Sequence, residues 1–208
     1  MTQAAVGRRA QERLRERTIL RAALEELALS DYGGMTVEGV AARAGVNKTT
    51  VYRKWQTKAE LMRAALSSVF ETYRVGPTAG DLRSDLLRIA RIVLDFSRSF
   101  EGQCLTRLRL LQHPEPELAK IAHDLNAKQL AQLSALVKAA RARGELGPDV
   151  DIVLLVDMIW GAVHARVVMK NEPVDDALLH RIVDMLMKAA RPAATSGTGP
   201  KRKPARPR

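Results

Sequence analysis

The stretch 36–55, TVEGVAARAGVNKTTVYRKW, leaves a folding chain few choices. Thr36 is a favourable N-cap, and Val37, Val40 and Ala41 follow it at helical spacing. Gly45 accepts the backbone conformation that ends a helix, and Asn47 caps a second helix predicted over 48–55. The segment therefore reads as helix, glycine turn, helix, with Ala41 small enough for the two helices to approach closely. Val46, Val51 and Trp55 face inward, the last two being four residues apart on one helix face. Lys48, Thr49, Thr50, Tyr52, Arg53 and Lys54 face outward. That outward set joins phosphate-binding cations and hydroxyls to arginine, the side chain best shaped for a guanine edge. A helix of this size fits the major groove of DNA.

The rest of the chain reads as helix too. Aromatic residues are only 4% of the 208, and no alternating strand pattern persists. Ile19, Leu20, Ala23, Leu24 and Leu27 mark one buried stripe on a helix over 12–32, stopped by Gly33 and Gly34. Thr57, Lys58, Ala59 and Glu60 form a capping box that opens a helix running to about Tyr73. The cluster VGPTAG at 75–80 breaks the pattern and marks a domain boundary. Five more helices are predicted over 81–99, 103–112, 116–143, 150–170 and 174–190, separated by Gly and Pro. The expected fold is all-α, about nine helices. A flexible basic arm (1–12) leads to a three-helix DNA-binding head (13–75). A ligand-binding and dimerisation bundle (81–190) and a disordered basic tail (191–208) follow.

Charge follows the same division. The net charge of +11 divides into +5 over 1–74, zero over 75–190 and +6 over 191–208. A basic head on a neutral body suggests that the head alone meets a polyanion. The single cysteine, Cys104, excludes an internal disulfide and reads as a small packed hydrophobe. His113, His123, His164 and His180 show no metal-ligand spacing, so no metal and no cofactor are expected. No nucleophile elbow and no phosphate-binding loop appear, so the residues offer no catalytic constellation. The most apolar stretch, 150–169, contains Asp151, Asp157, His164 and Arg166, which argues against a membrane span. With no secretory signal at the start, a cytoplasmic protein is expected.

The helix 150–170 is apolar nearly all round and must be covered on more than one side. Gly161 and Ala165 leave a flat strip on it, and Leu178, Ile182, Met185 and Leu186 add a second stripe from the last helix. Two helices from each of two chains would make a four-helix homodimer interface. A monomer with both stripes folded inward is the alternative. Ile89, Val93, Phe96, Leu108, Leu111, Met158 and Trp160 are candidates to line an apolar pocket with Cys104, His164 or Arg107 supplying polarity. The same residues fill a solid core equally well.

Through Ile19-Leu20-Arg21-Ala22-Ala23, Gly45-Val46, Thr50-Val51-Tyr52 and Lys58-Ala59-Glu60-Leu61, the segment 12–65 resembles the TetR/AcrR family of transcriptional regulators. The resemblance implies a DNA-binding head on a helical body that dimerises and binds a small-molecule effector, the ligand usually releasing operator DNA. Carried over by position, Thr36, Thr50, Tyr52 and Lys58 look like phosphate contacts, joined by Lys54 from the outward face. Lys48, Thr49 and Arg53 look like base contacts. Tyr52 is also placed to be a core edge, and Lys58 to be a solvated lysine. Thr49 departs from the small Gly or Ala often found at its position, which puts its base contact in doubt. Two rival readings are a ligand-independent architectural DNA binder, suggested by the basic tail, and an enzyme acting on a small molecule in the body.

Overall fold

The structure, a computed structural model, describes residues 3–76, 79–110 and 115–190. The expected tail (191–208) and the pocket candidate Leu111 lie outside the described residues, as do the side chains of Arg107 and Leu108. The described residues form nine α-helices and one π-helical turn, with no strand among them. The head comprises α1 (Gln3–Gly34), α2 (Val37–Arg43), α3 (Lys48–Tyr52) and α4 (Lys58–Thr72). The body comprises α5 (Leu82–Arg98), α6 (Phe100–Leu110), α7 (Pro116–Ala142), α8 (Ile152–His164) and α9 (Asp176–Ala190). The π-helical turn, Ala165–Met169, continues α8.

Each short helix of the head starts on a side-chain cap. Thr36 Oγ1 accepts from Gly39 N at 3.0 Å, Asn47 Oδ1 from Thr49 N at 2.9 Å, and Thr57 Oγ1 from Glu60 N at 3.1 Å. Each such cap contributes about 1 kcal/mol, which matters for helices too short to persist alone. Gly45 makes the turn at φ 65°, a conformation open to glycine at little cost. The helix expected over 48–55 ends at Tyr52; Arg53 is its C-cap, and Trp55 still donates its N–H to the Val51 carbonyl at 2.9 Å. Trp55 is buried with Val51, Ala41 and Val40 as expected, while Val46 is half-buried.

Two expectations for α1 need correction. The polar segment 1–12, read as a mobile arm, is helical from Gln3, because Ala, Arg, Gln, Glu and Leu all favour helix. The helix also breaks before the glycines, at Asp31, whose φ of 56° and ψ of 173° lie outside the helical region. The break swings Tyr32 inward, where it is 5% exposed and its hydroxyl donates to Glu117 Oε2 at 2.5 Å.

The head and body share side chains across the boundary near 75–80. Ile121 and Leu125 of α7 are buried in the head's core with Leu27, Leu61 and Met62. The body's own core gathers Leu86, Ala90 and Val93 of α5 with Ile159 and Val163 of α8 and Leu179 and Val183 of α9. Gly102, expected to separate two helices, lies inside α6, and the break falls at Ser99. A Cβ on Gly102 would sit 1.8 Å from the Phe96 carbonyl oxygen, so only glycine lets α6 pack into this corner.

Candidate nucleic-acid interface

The α2–turn–α3 unit presents one polar face over an apolar floor of Val40, Val51 and Trp55. Lys48, Thr49, Tyr52, Arg53 and Lys54 are exposed there, and Thr50 is partly so. Thr36 lies exposed at the start of α2. Glu38, which the sequence reading passed over, organises part of this face. It pairs with Lys48 at 3.7 Å and accepts a 3.5 Å hydrogen bond from Tyr52 Oη. Both partners are solvent-exposed, so the pairing is weak and readily exchanged for a phosphate. Thr49 Oγ1 donates to Asn47 Oδ1 at 2.9 Å, holding its hydroxyl against the cap.

Two more of the expected phosphate contacts, both lysines, are engaged within the chain. Lys54 Nζ lies 2.5 Å from Glu16 Oε2 of α1, joining α3's end to the first helix. Lys58 Nζ is half-buried, donates to the Tyr32 carbonyl at 2.6 Å and sits 4.4 Å from the Tyr32 ring centroid. Its place in the fold is the seam between α1 and α4. Burial, then the hydrogen bond to Glu117, push the Tyr32 hydroxyl well above the ordinary tyrosine range, so it stays a donor. Lys58, Tyr32 and Glu117 thus link the start of α4, the end of α1 and the start of α7. Arg63 of α4 adds a 3.2 Å ion pair to Asp124 of α7. No sequence motif announces these pairs, whose members lie 61 and 85 residues apart.

In the body, Phe96 stacks edge-on with Tyr73 at 5.2 Å and Trp160 at 5.3 Å, and Trp160 meets His164 at 5.3 Å. Around this aromatic row, His164 Nδ1 is 3.0 Å from Ser97 Oγ and its Nε2 is 3.1 Å from Thr106 Oγ1. Ile89, Val93 and Cys104 are buried. Met158, expected with them, is instead half exposed, because it lies on the side of α8 opposite Trp160.

Met158 belongs to an apolar outer face with Leu154, Gly161 and, from α9, Met185, which is 70% exposed. Ala165, Leu178 and Ile182 are partly exposed beside them. Leu186, expected on the same face, is buried in the body's core, where it continues the stripe of Leu179 and Val183. Ile152–Met169 is long and apolar enough to cross a bilayer by composition alone, and only 22% of it is buried. Ile152, Leu155, Ile159 and Val163 are its buried stripe, and Asp157 and Arg166 interrupt it.

Comparisons with known proteins agree with this architecture. Residues 19–65 match the family model described as bacterial regulatory proteins, tetR family, and residues 77–186 match the tetracyclin repressor-like C-terminal domain. A Mycobacteroides abscessus protein named DNA-binding transcriptional repressor TetR is 32% identical over 190 residues, covering 86% of this chain and 96% of its own. The crystal structure of a TetR family transcription regulator superposes with a TM-score of 0.58 at 34% identity, covering 84% of this chain and 97% of that one. The regulator FadR of Bacillus subtilis, solved in complex with stearoyl-CoA, superposes with a TM-score of 0.59 over 82% of this chain and 96% of that one. At 21% identity it shares the fold.

Proposed function

The chain belongs to the TetR family of bacterial transcriptional regulators, and we propose that it is a cytoplasmic homodimeric repressor released from a palindromic operator by a small amphipathic molecule. The observation that carries this reading is the exposed row Lys48, Thr49 and Arg53 on a capped helix with a buried apolar floor. Arg53 reaches a guanine edge, Lys48 and Thr49 contact neighbouring bases, and Thr36, Thr50 and Tyr52 hold phosphates. Repression is supported by the name of the Mycobacteroides abscessus relative.

Dimerisation is supported by the outer face of α8 and α9. Leu154 and Met158 on α8 and Met185 on α9 expose large apolar side chains, a kind of surface that marks an interface. A second copy of the same face covers them about a two-fold axis, with Gly161 allowing the helices to approach. An amphipathic effector is supported by the stearoyl-CoA bound to FadR and by the aromatic row with its three polar groups, Ser97, Thr106 and His164. A ligand wedged there moves α6 and α7, and the shared Ile121 and Leu125 carry the shift into α1 and α4. Coupling of about 1–3 kcal/mol is enough for such a switch.

The test is selection of duplexes from a random-sequence pool by the full-length protein, followed by footprinting. One short palindrome supports the reading, and broad protection without base preference favours an architectural DNA binder. Adding oleate or stearoyl-CoA to the enriched complex then tests the effector class. Release by neither would remove the amphipathic assignment while leaving the DNA-binding reading intact.

A further inference from the structure

The first 16 described residues of α1, 3–18, precede the first core residue of that helix, Ile19. This extension is about 24 Å of helix, and residues 6–15 are all exposed. It carries five arginines, Arg8, Arg9, Arg13, Arg15 and Arg17, against Glu12 and Glu16. Burial does not stabilise so exposed a helix, and five arginines within ten residues repel one another unless an anion lies alongside. The extension is nevertheless anchored: the 2.5 Å Lys54–Glu16 pair joins it to the end of α3 and neutralises one of its two acidic groups. Between it and the α2–α3 turn runs an open cleft of about 640 Å³. Arg8, Gln11, Glu12, Leu14, Arg15 and Thr18 line one wall and the turn 44–46 lines the other. Arg8 and Arg15, seven residues apart, stand on the same face, two turns from one another.

We propose that residues 3–18 form a second DNA-contacting element, in which Arg8 and Arg15 hold the phosphodiester backbone beside the groove that α3 enters. The cleft fits a strand backbone by charge: two guanidiniums, an amide and a hydroxyl outweigh the one carboxylate of Glu12. A phosphate gains more from arginine than from lysine because the planar fork binds two oxygens at once. The extension therefore adds affinity and salt dependence and no base preference. This rests on the reading of α3 as the helix in the groove, and the experiment separates the two.

The probes are the duplex enriched from a random pool by the wild-type protein, the same duplex scrambled, and the enriched duplex trimmed to its footprint. The Arg8→Gln/Arg15→Gln double variant keeps helix propensity and is checked by circular dichroism. Its expected effect is about a tenfold loss of affinity at 0.1 M salt on the enriched and scrambled duplexes alike. The slope of log affinity against log salt becomes shallower by about 2 to 4 for a dimer, at about 0.9 per lost phosphate contact. A protein truncated to begin at Glu16, which removes both arginines and keeps the Glu16–Lys54 pair, should lose at least as much affinity. Unchanged affinity and slope in both variants overturn the proposal. Loss of the enriched-over-scrambled ratio overturns it too, since the extension would then be reading bases. If the enriched duplex shows a palindrome that depends on Arg53 while the double variant behaves as wild type, the α3 reading stands and only the extension falls. If the wild type enriches no sequence, the α3 reading fails first, and an unchanged salt slope on random duplexes still overturns the extension.

Discussion

In the head, three helices of 7, 5 and 15 residues each open on a cap from their own sequence neighbourhood, and Gly45 turns the chain between two of them. In the body, α5 and α8 also open on caps, Asp81 and Asp151, but α5, α7 and α8 run 17, 27 and 13 residues and are set against one another by contact between distant segments. Arg83 reaches Asp184 at 2.8 Å, Arg98 donates to the Val174 carbonyl at 2.6 Å, and Ser97 meets His164 at 3.0 Å. The head is specified by interactions a few residues apart and keeps its polar face for DNA. The body is specified by packing, and leaves an apolar outer face and an aromatic row, which the proposed function assigns to a second copy and to a ligand. A regulator needs both: a reader whose shape is constant, and a sensor whose packing can be shifted.

That comparison is exposed most severely at the outer face of the body. The double variant Leu154→Glu/Met185→Glu should sediment as a folded monomer and lose more than about a hundredfold in operator affinity, because two half-sites no longer bind as one ligand. A well-folded dimer would show that the face is covered in another way. Next comes Gly102→Ala, whose new methyl meets the Phe96 carbonyl. It should destabilise the body by about 3 kcal/mol, measured by denaturant unfolding. The two tryptophans make this regional: in a Trp55→Phe background Trp160 reports the body, and in a Trp160→Phe background Trp55 reports the head. Equal loss in both signals would mean that the shared Ile121 and Leu125 tie the regions into one cooperative unit.

Smaller effects sharpen the head's side. Arg53→Ala should cost about 1–3 kcal/mol of operator binding and relax preference at one base position, without altering the denaturation midpoint. Thr57→Ala removes the cap of α4 and should cost about 1 kcal/mol of stability, seen first by Trp55.

The least effect comes from acid. Three carboxylates of the body are held below their ordinary range: Asp81 by hydrogen bonds from Ser84, and Glu145 and Asp184 by their bonds to Arg143 and Arg83. A folded-state pKa below the unfolded value means stability that is full above the ordinary carboxylate range and lost as pH falls through the folded value. The Trp160 signal should therefore shift at a higher pH than the Trp55 signal. Coincident transitions would remove this distinction between the regions.

The legible parts were those whose partners are neighbours in the chain. Thr36, Asn47 and Thr57 could be read as caps because the amides they accept from lie two or three residues on. Val51 and Trp55 could be read as floor from their spacing alone. Lys54 and Lys58 could not be placed, since the atoms that hold them, Glu16 Oε2 and the Tyr32 carbonyl, belong to α1. Met158 was misplaced for a related reason. On a helix apolar nearly all round, hydrophobicity does not say which face meets its own core and which meets solvent.

The sequence by itself determined the helical class, the head with its capped turn, and the chemistry offered on α3, because helix periodicity, caps and glycine conformation are local properties of the backbone. Only the tertiary structure decided that Asp31 breaks α1, that Tyr32 joins Glu117 across 85 residues, and that Ile121 and Leu125 complete the head's core from the body. Those outcomes depend on which surfaces meet after the helices form. Burial energy is non-directional and proportional to area, so it selects among packings that the local code leaves equivalent.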